Sequence, residues 1–217
     1  MQEEINRTGF ELTKGKKSIL IPAAFVIVIW MIYISQTTFN IPFAQYGILP
    51  RKIAGIAGIL SSPLIHADFN HLISNTPALL ILSITVIYFY PNSSLKVLSL
   101  IYLLTGILVW LLARQVYHIG ASGIIYGLLG FLFFSGVFRR DNRSIAIALL
   151  VTFIYGGLIW GILPGVKGVS WESHLFGGIS GILIAFIYRK EDPYFKYEWE
   201  KEDDEKDLNN NNEKSTE

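Results

Sequence analysis

Ser122 and His174 are the side chains whose types and settings invite chemistry. Ser122 stands in Gly120-Ala121-Ser122-Gly123 at the head of an apolar run, and His174 heads a later one. Polar side chains inside hydrocarbon are costly without partners or water, and small residues let two helices touch. Ser122, Tyr126 and Gly130 share one helical face, with Gly123 and Gly127 beside them. His174, Gly177 and Gly181 share a face of the later run. If the Gly123/Gly127 strip meets the Gly177/Gly181 strip, Ser122 and His174 arrive at one depth. An imidazole within about 2.6–3.2 Å can then take the serine proton. Tyr126, one turn below Ser122, is placed to pack against that imidazole. The plainer alternatives are a small packing serine and a structural histidine bonded to a carbonyl.

His71 and Asn75 are i, i+4 in a third apolar run, so both project from one face. With the Ser122 backbone N–H they offer donors for an oxyanion, each contributing about 2.7–4 kcal/mol in such sites. His66 precedes that run and reads as a brace for the segment before it. Asp68 reads as an N-cap. Glu172 reads as a rim charge, and no carboxylate is placed to complete a triad.

A metal site is not expected. His66 and His71 lie about 140° apart on a helix, whereas zinc-binding pairs use i, i+4, and there is no His-Glu-x-x-His motif. The chain has no cysteine, which excludes disulfides, thiol catalysis and thiolate metal sites. There is no phosphate-binding glycine loop and no basic stripe with interleaved aromatics, so no cofactor and no nucleic-acid partner are expected.

These residues need helices in a membrane to position them. Of 217 residues, 52% are hydrophobic and 16% charged, and the mean hydropathy is +0.44. The charge gathers at the two ends. Six spans are expected near 18–35, 70–90, 95–113, 122–138, 144–163 and 173–188, by the rule of about 17–25 apolar residues. The segment 36–67 is too broken by proline and glycine to cross and reads as interfacial. A cleaved signal peptide is not expected, because the first run is long and no small-x-small site follows it. Lys14, Lys16, Lys17, Lys96, Arg139, Arg140, Arg143, Arg189 and Lys190 fall on one side; Arg51, Lys52, Arg114 and Lys167 fall on the other. Both termini are therefore expected inside, with Ser122 and His174 toward the outer face. The expected division is a cytosolic segment at 1–17, a six-helix membrane domain at 18–189 and a disordered charged tail at 190–217. No folded extra domain is expected at either end.

Taken together, the motifs resemble the rhomboid family of intramembrane serine proteases. His66, His71 and Asn75 meet its His-x4-His-x3-Asn pattern, and Gly120, Ser122 and Gly123 its Gly-x-Ser-Gly pattern. Tyr126 is the aromatic four residues after the serine, and His174, Gly177 and Gly181 meet His-x-x-Gly-x-x-x-Gly. The resemblance implies an all-α membrane protein, a six-transmembrane-helix bundle with an interfacial first loop and a water-filled cavity open to the outer face. It implies Ser122 as nucleophile, His174 as base, and His71, Asn75 and the Ser122 amide as oxyanion donors. The implied partners are transmembrane protein substrates in the lipid bilayer, with the fifth helix and the loop 165–172 as gate and cap. Where many bacterial members carry Trp-Arg in the first loop, this chain has Pro50-Arg51. The expected setting is a prokaryotic plasma membrane. A catalytically silent binding or quality-control factor is the alternative on the same fold. A small transporter is disfavoured, since no charged residue lies in the middle of a span and no inverted repeat of interrupted helices is visible.

Overall fold

Each apolar run folds as a helix, because a segment without water must satisfy its backbone internally. The computed structural model describes residues 2–165 and 168–194, with side chains from Gly15 onward. Among these residues there are seven α-helices and no strand. They are α1 (Gln2–Thr38), α2 (Gly58–Ser61), α3 (Phe69–Phe89), α4 (Ser94–Leu112), α5 (Ser122–Arg139), α6 (Asn142–Tyr155) and α7 (Trp171–Ile187). The expected tail beyond 194 and Lys167 lie outside the described residues.

Five segments are long and apolar enough to cross a membrane: Gly15–Thr38, Phe69–Phe89, Ser94–Leu112, Ser122–Arg139 and Asn142–Ile162. The sixth expected span is α7, which has 17 residues. At about 1.5 Å per residue it is about 25 Å long, short of a hydrocarbon core of about 30 Å. The fifth span is not one continuous α-helix. After Tyr155 it tightens into a 3-10 segment, Gly156–Ile162, where Gly156 and Gly157 weaken helix propensity. Large apolar side chains such as Leu149, Phe153, Trp160 and Ile187 face outward, as lipid contact requires.

The core lies where α5 meets its neighbours. Leu128, Phe131 and Leu132 of α5 are fully buried with Leu72 and Leu82 of α3, Ile101 of α4 and Ile184 of α7. The closest pairing is α5 against α7. A Cβ on Gly177 would collide with the carbonyl of Gly123, and one on Gly181 with the carbonyl of Gly127. The two glycine strips therefore meet as expected. The helices are close enough that only hydrogen fits at those positions of α7.

The segment between α1 and α3 winds through short turns at Phe43–Tyr46, Ile53–Gly55, α2 and Ser62–Leu64. It is fastened to the end of α4, where the last carbonyls lack helical partners. Arg51 Nη1 donates to the carbonyls of Ala113 at 2.7 Å and Leu111 at 3.2 Å. The indole of Trp110, from α4, donates back to Lys52 O at 3.0 Å. The arginine of the first loop is thus complemented by a tryptophan contributed from a different helix.

The basic residues separate into two ends. Arg51 and Arg114 lie at the end that carries the α5 and α7 N-termini. Arg139 and Arg143 lie at the other end, over Tyr90, and donate to backbone carbonyls between Tyr188 and Asp192. The Asp192 carboxylate accepts from Asn92 N at 2.7 Å and Ser93 Oγ at 2.5 Å, closing that end.

Candidate active site

Ser122 is the first residue of α5 and His174 lies in the first turn of α7. His174 Nε2 is 2.9 Å from Ser122 Oγ, and His174 Nδ1 is 2.8 Å from Gly161 O. A carbonyl only accepts, so Nδ1 carries the proton. Nε2 is then left with its lone pair toward the serine hydroxyl, the tautomer a general base needs. Tyr126 lies flat on the imidazole, with ring centroids 4.1 Å apart and planes 4° from parallel. Its hydroxyl donates to Leu158 O at 2.6 Å. The 3-10 segment after α6 thus turns two carbonyls toward the site, one for the histidine and one for the ring stacked on it.

The backbone before Ser122 is shaped by close approach. Gly120 has φ +105°, and a Cβ there would sit 2.5 Å from His71 Cε1. Gly120 N donates to Ser62 O at 2.8 Å, which ties this turn to the first loop. The His71 imidazole therefore lies directly on the turn that presents Ser122. Asn75 Nδ2 donates to His66 Nε2 at 3.1 Å, leaving its second N–H available. Asp68 caps α3, accepting from His71 N at 2.9 Å. His66 is buried, and its backbone oxygen accepts from Gln36 Nε2 at 3.2 Å. Burial, with His71 close by, pushes its pKa down to about 4. It is a neutral acceptor that holds Asn75.

Ser122, His174, His71, Asn75 and Tyr126 line one open cavity of about 1080 Å³. As the first residue of a helix, Ser122 also has a backbone N–H without an intrahelical partner. His71 and Asn75 of α3 thus share a cavity with the Ser122–His174 contact. Among the described residues no three histidine, aspartate or glutamate side chains gather to hold a metal.

The Rhomboid domain family matches residues 54–191, well over half of the chain. The chain belongs to the rhomboid family. With five segments long and apolar enough to cross a membrane, this rhomboid protein is a multi-pass membrane protein. It is 37% identical over 150 residues to an uncharacterized protein of Mycobacterium tuberculosis, covering 65% of this chain and 62% of the relative. A similar uncharacterized protein of Mycobacterium leprae is 35% identical over the same length, 65% and 59% of the two chains. RHOMBOID-like protein 4 of Arabidopsis thaliana is 31% identical over 137 residues, 59% of this chain and 33% of that one. The match thus spans less than two thirds of these relatives' own length.

Three features of this rhomboid site carry no motif. Glu172 is not a rim charge: it is buried, with its Oε1 3.1 Å from Arg114 Nε. Pairing with an arginine 58 positions earlier offsets part of the cost of burying it. The partner that orients His174 is a backbone carbonyl, which any residue supplies. His118, the remaining histidine, is buried on the cavity wall. Its only sequence signal is a histidine two residues before the Gly120 turn.

Proposed function

We propose that this rhomboid protein is an intramembrane serine endopeptidase acting on transmembrane segments of other proteins. The observation that carries the reading is the Ser122–His174 contact of 2.9 Å, with the far side of the imidazole held by Gly161 O.

In the proposed reaction, Ser122 Oγ attacks the scissile carbonyl carbon as its proton passes to His174 Nε2. The carbonyl oxygen takes up the negative charge and is met by N–H donors of His71, Asn75 and Ser122. Collapse breaks the C–N bond, and His174 returns its proton to the departing amine. A water, deprotonated by His174, then hydrolyses the acyl ester and regenerates the Ser122 hydroxyl. Tyr126 and Gly161 keep the imidazole in plane and in one tautomer throughout. A helix hides its carbonyls in its own hydrogen bonds, so a substrate must unwind before attack.

In this reading residues 18–189 form the protease domain, and 1–17 and 190–217 lie in the cytoplasm of a prokaryotic cell. The cavity opens to the outer face of its plasma membrane. The test is labelling of the detergent-solubilised protein by a fluorophosphonate, wild type beside Ser122→Ala and His174→Ala. A transmembrane peptide serves as substrate in parallel. Labelling and cleavage that need both residues are expected. A folded wild type inert in both assays would turn the reading to a rhomboid-like binding factor, and cleavage by Ser122→Ala would remove the nucleophile assignment.

A further inference from the structure

His118 stands at a junction of three chain segments. Its backbone pairs with Ile48 of the first loop, N to O at 2.9 Å and O from N at 3.0 Å. Its imidazole runs the other way, with Nε2 3.0 Å from Arg114 O and Nδ1 2.5 Å from Ser170 Oγ. The Arg114 carbonyl only accepts, so Nε2 is the donor and Nδ1 accepts the Ser170 hydroxyl proton. Burial lowers the His118 pKa, in keeping with this neutral tautomer.

Ser170 is the N-cap of α7. Its Oγ accepts from Ser173 N at 3.4 Å and lies 2.6 Å from Ser173 Oγ. Arg114 joins the same two segments from outside. Its Nη2 donates to Val169 O at 3.1 Å and its Nε meets the buried Glu172 at 3.1 Å. Three contacts, His118–Ser170, Arg114–Val169 and Arg114–Glu172, therefore tie the loop that leads into Ser122 to the turn that leads into His174. Below it, the glycine seam brings the α5 and α7 backbones close together.

We propose that His118 is a positioning residue for the Ser122–His174 pair. Strung between the Arg114 carbonyl and the Ser170 hydroxyl, it sets the height of the first turn of α7 against the first turn of α5. It touches neither reacting atom. The inference rests on the protease reading for its consequence in rate, and on geometry alone for its consequence at His174.

The experiment compares wild type, His118→Ala, His118→Gln and Ser170→Ala with two readouts. The first is fluorophosphonate inactivation resolved into a maximal rate and a half-saturation concentration. The second is the ring-nitrogen spectrum of histidine-labelled protein, simple because the chain has four histidines. Misplacement of catalytic groups by about 1 Å can cost about a hundredfold. His118→Ala is expected to lower the maximal rate tenfold or more and to shift the His174 Nε2 resonance, with half-saturation within about twofold. His118→Gln keeps a donor and an acceptor at similar reach and is expected to recover much of both. Wild-type values of rate and resonance in folded His118→Ala would overturn the proposal. If that variant does not fold, Ser170→Ala, which cuts the same link from the other side, decides by the same criteria. A wild type that does not react would overturn the protease reading, and the His174 resonance would still decide for or against His118.

Discussion

Two serine–histidine pairs face one cavity. In Ser122–His174 the imidazole gives its Nδ1 proton to Gly161 O and turns Nε2 to the serine. In Ser170–His118 the tautomer is reversed, with Nε2 donating to Arg114 O and Nδ1 accepting from the serine. The distances alone, 2.9 and 2.5 Å, would favour the second pair. The difference lies in the serine oxygens. Ser170 Oγ also serves Ser173 N and Ser173 Oγ as a helix cap, so its lone pairs are committed. Ser122 Oγ has His174 as its side-chain partner, at the start of a helix and beside the donors of α3. On the proposed chemistry, a serine–histidine contact reacts because of what the oxygen leaves unused, and the same contact elsewhere becomes a fastening.

That contrast can be broken most sharply by removing each hydroxyl in turn. Ser122→Ala is expected to bring labelling to background, a loss of several orders of magnitude for a missing nucleophile, with the thermal midpoint hardly moved. Ser170→Ala should still label at a measurable rate. Equal abolition by both would collapse the distinction. Next in size, Gly177→Val drives a side chain against the Gly123 carbonyl. Overpacking of this kind costs about 1–3 kcal/mol, and the thermal midpoint and labelled fraction should both fall. An unchanged midpoint would count against the close seam.

A smaller effect follows from His66, which supports Asn75 on the Ser122 side. Its folded pKa of about 4 lies below the ordinary histidine value of 6.5, so between those values the unfolded chain holds more protons. Stability should be complete above about pH 6.5 and fall as pH drops toward 4, by up to about 1.4 kcal/mol per unit for this group. His118 is displaced in the same direction and adds to the slope. Denaturation at a series of pH values should show a shallower slope in His66→Asn; the wild-type slope in that variant would remove His66 from the account. Smallest is Tyr126→Phe, which keeps the ring on His174 and deletes the bond to Leu158 O. About 1 kcal/mol of stability is expected to go, with labelling near wild type. Loss of labelling would move the hydroxyl from support into the chemistry.

Much of this is legible in the sequence. The spans followed from apolar length, Asp68 from its place before α3, and the glycine strips from i, i+4 spacing. The Tyr126–His174 stack followed from those strips meeting. What was hidden shares one property: the deciding partner is remote and carries no pattern. Glu172 looks exposed until Arg114 is beside it, and the Gly161 carbonyl has no residue type to search for. The change from α-helix to 3-10 at Tyr155 turns on two glycines that also suit a helix packing against another. His118 became visible only when Ser170, 52 residues on, stood opposite its ring.

The seam between α5 and α7 behaves like a detent. The Gly123 and Gly127 carbonyls occupy the places where α7 carries no side chain, at Gly177 and Gly181. Turning α7 one way would bring Ser180 and Ile184, their neighbours on the helix surface, against those oxygens. Partial settings in that direction are closed, and the pair at the top of the seam inherits a single notch. Injury to the seam should therefore appear as fewer competent molecules and not as a uniformly slower site. A count of reactive centres would register that damage, where an initial rate alone would not.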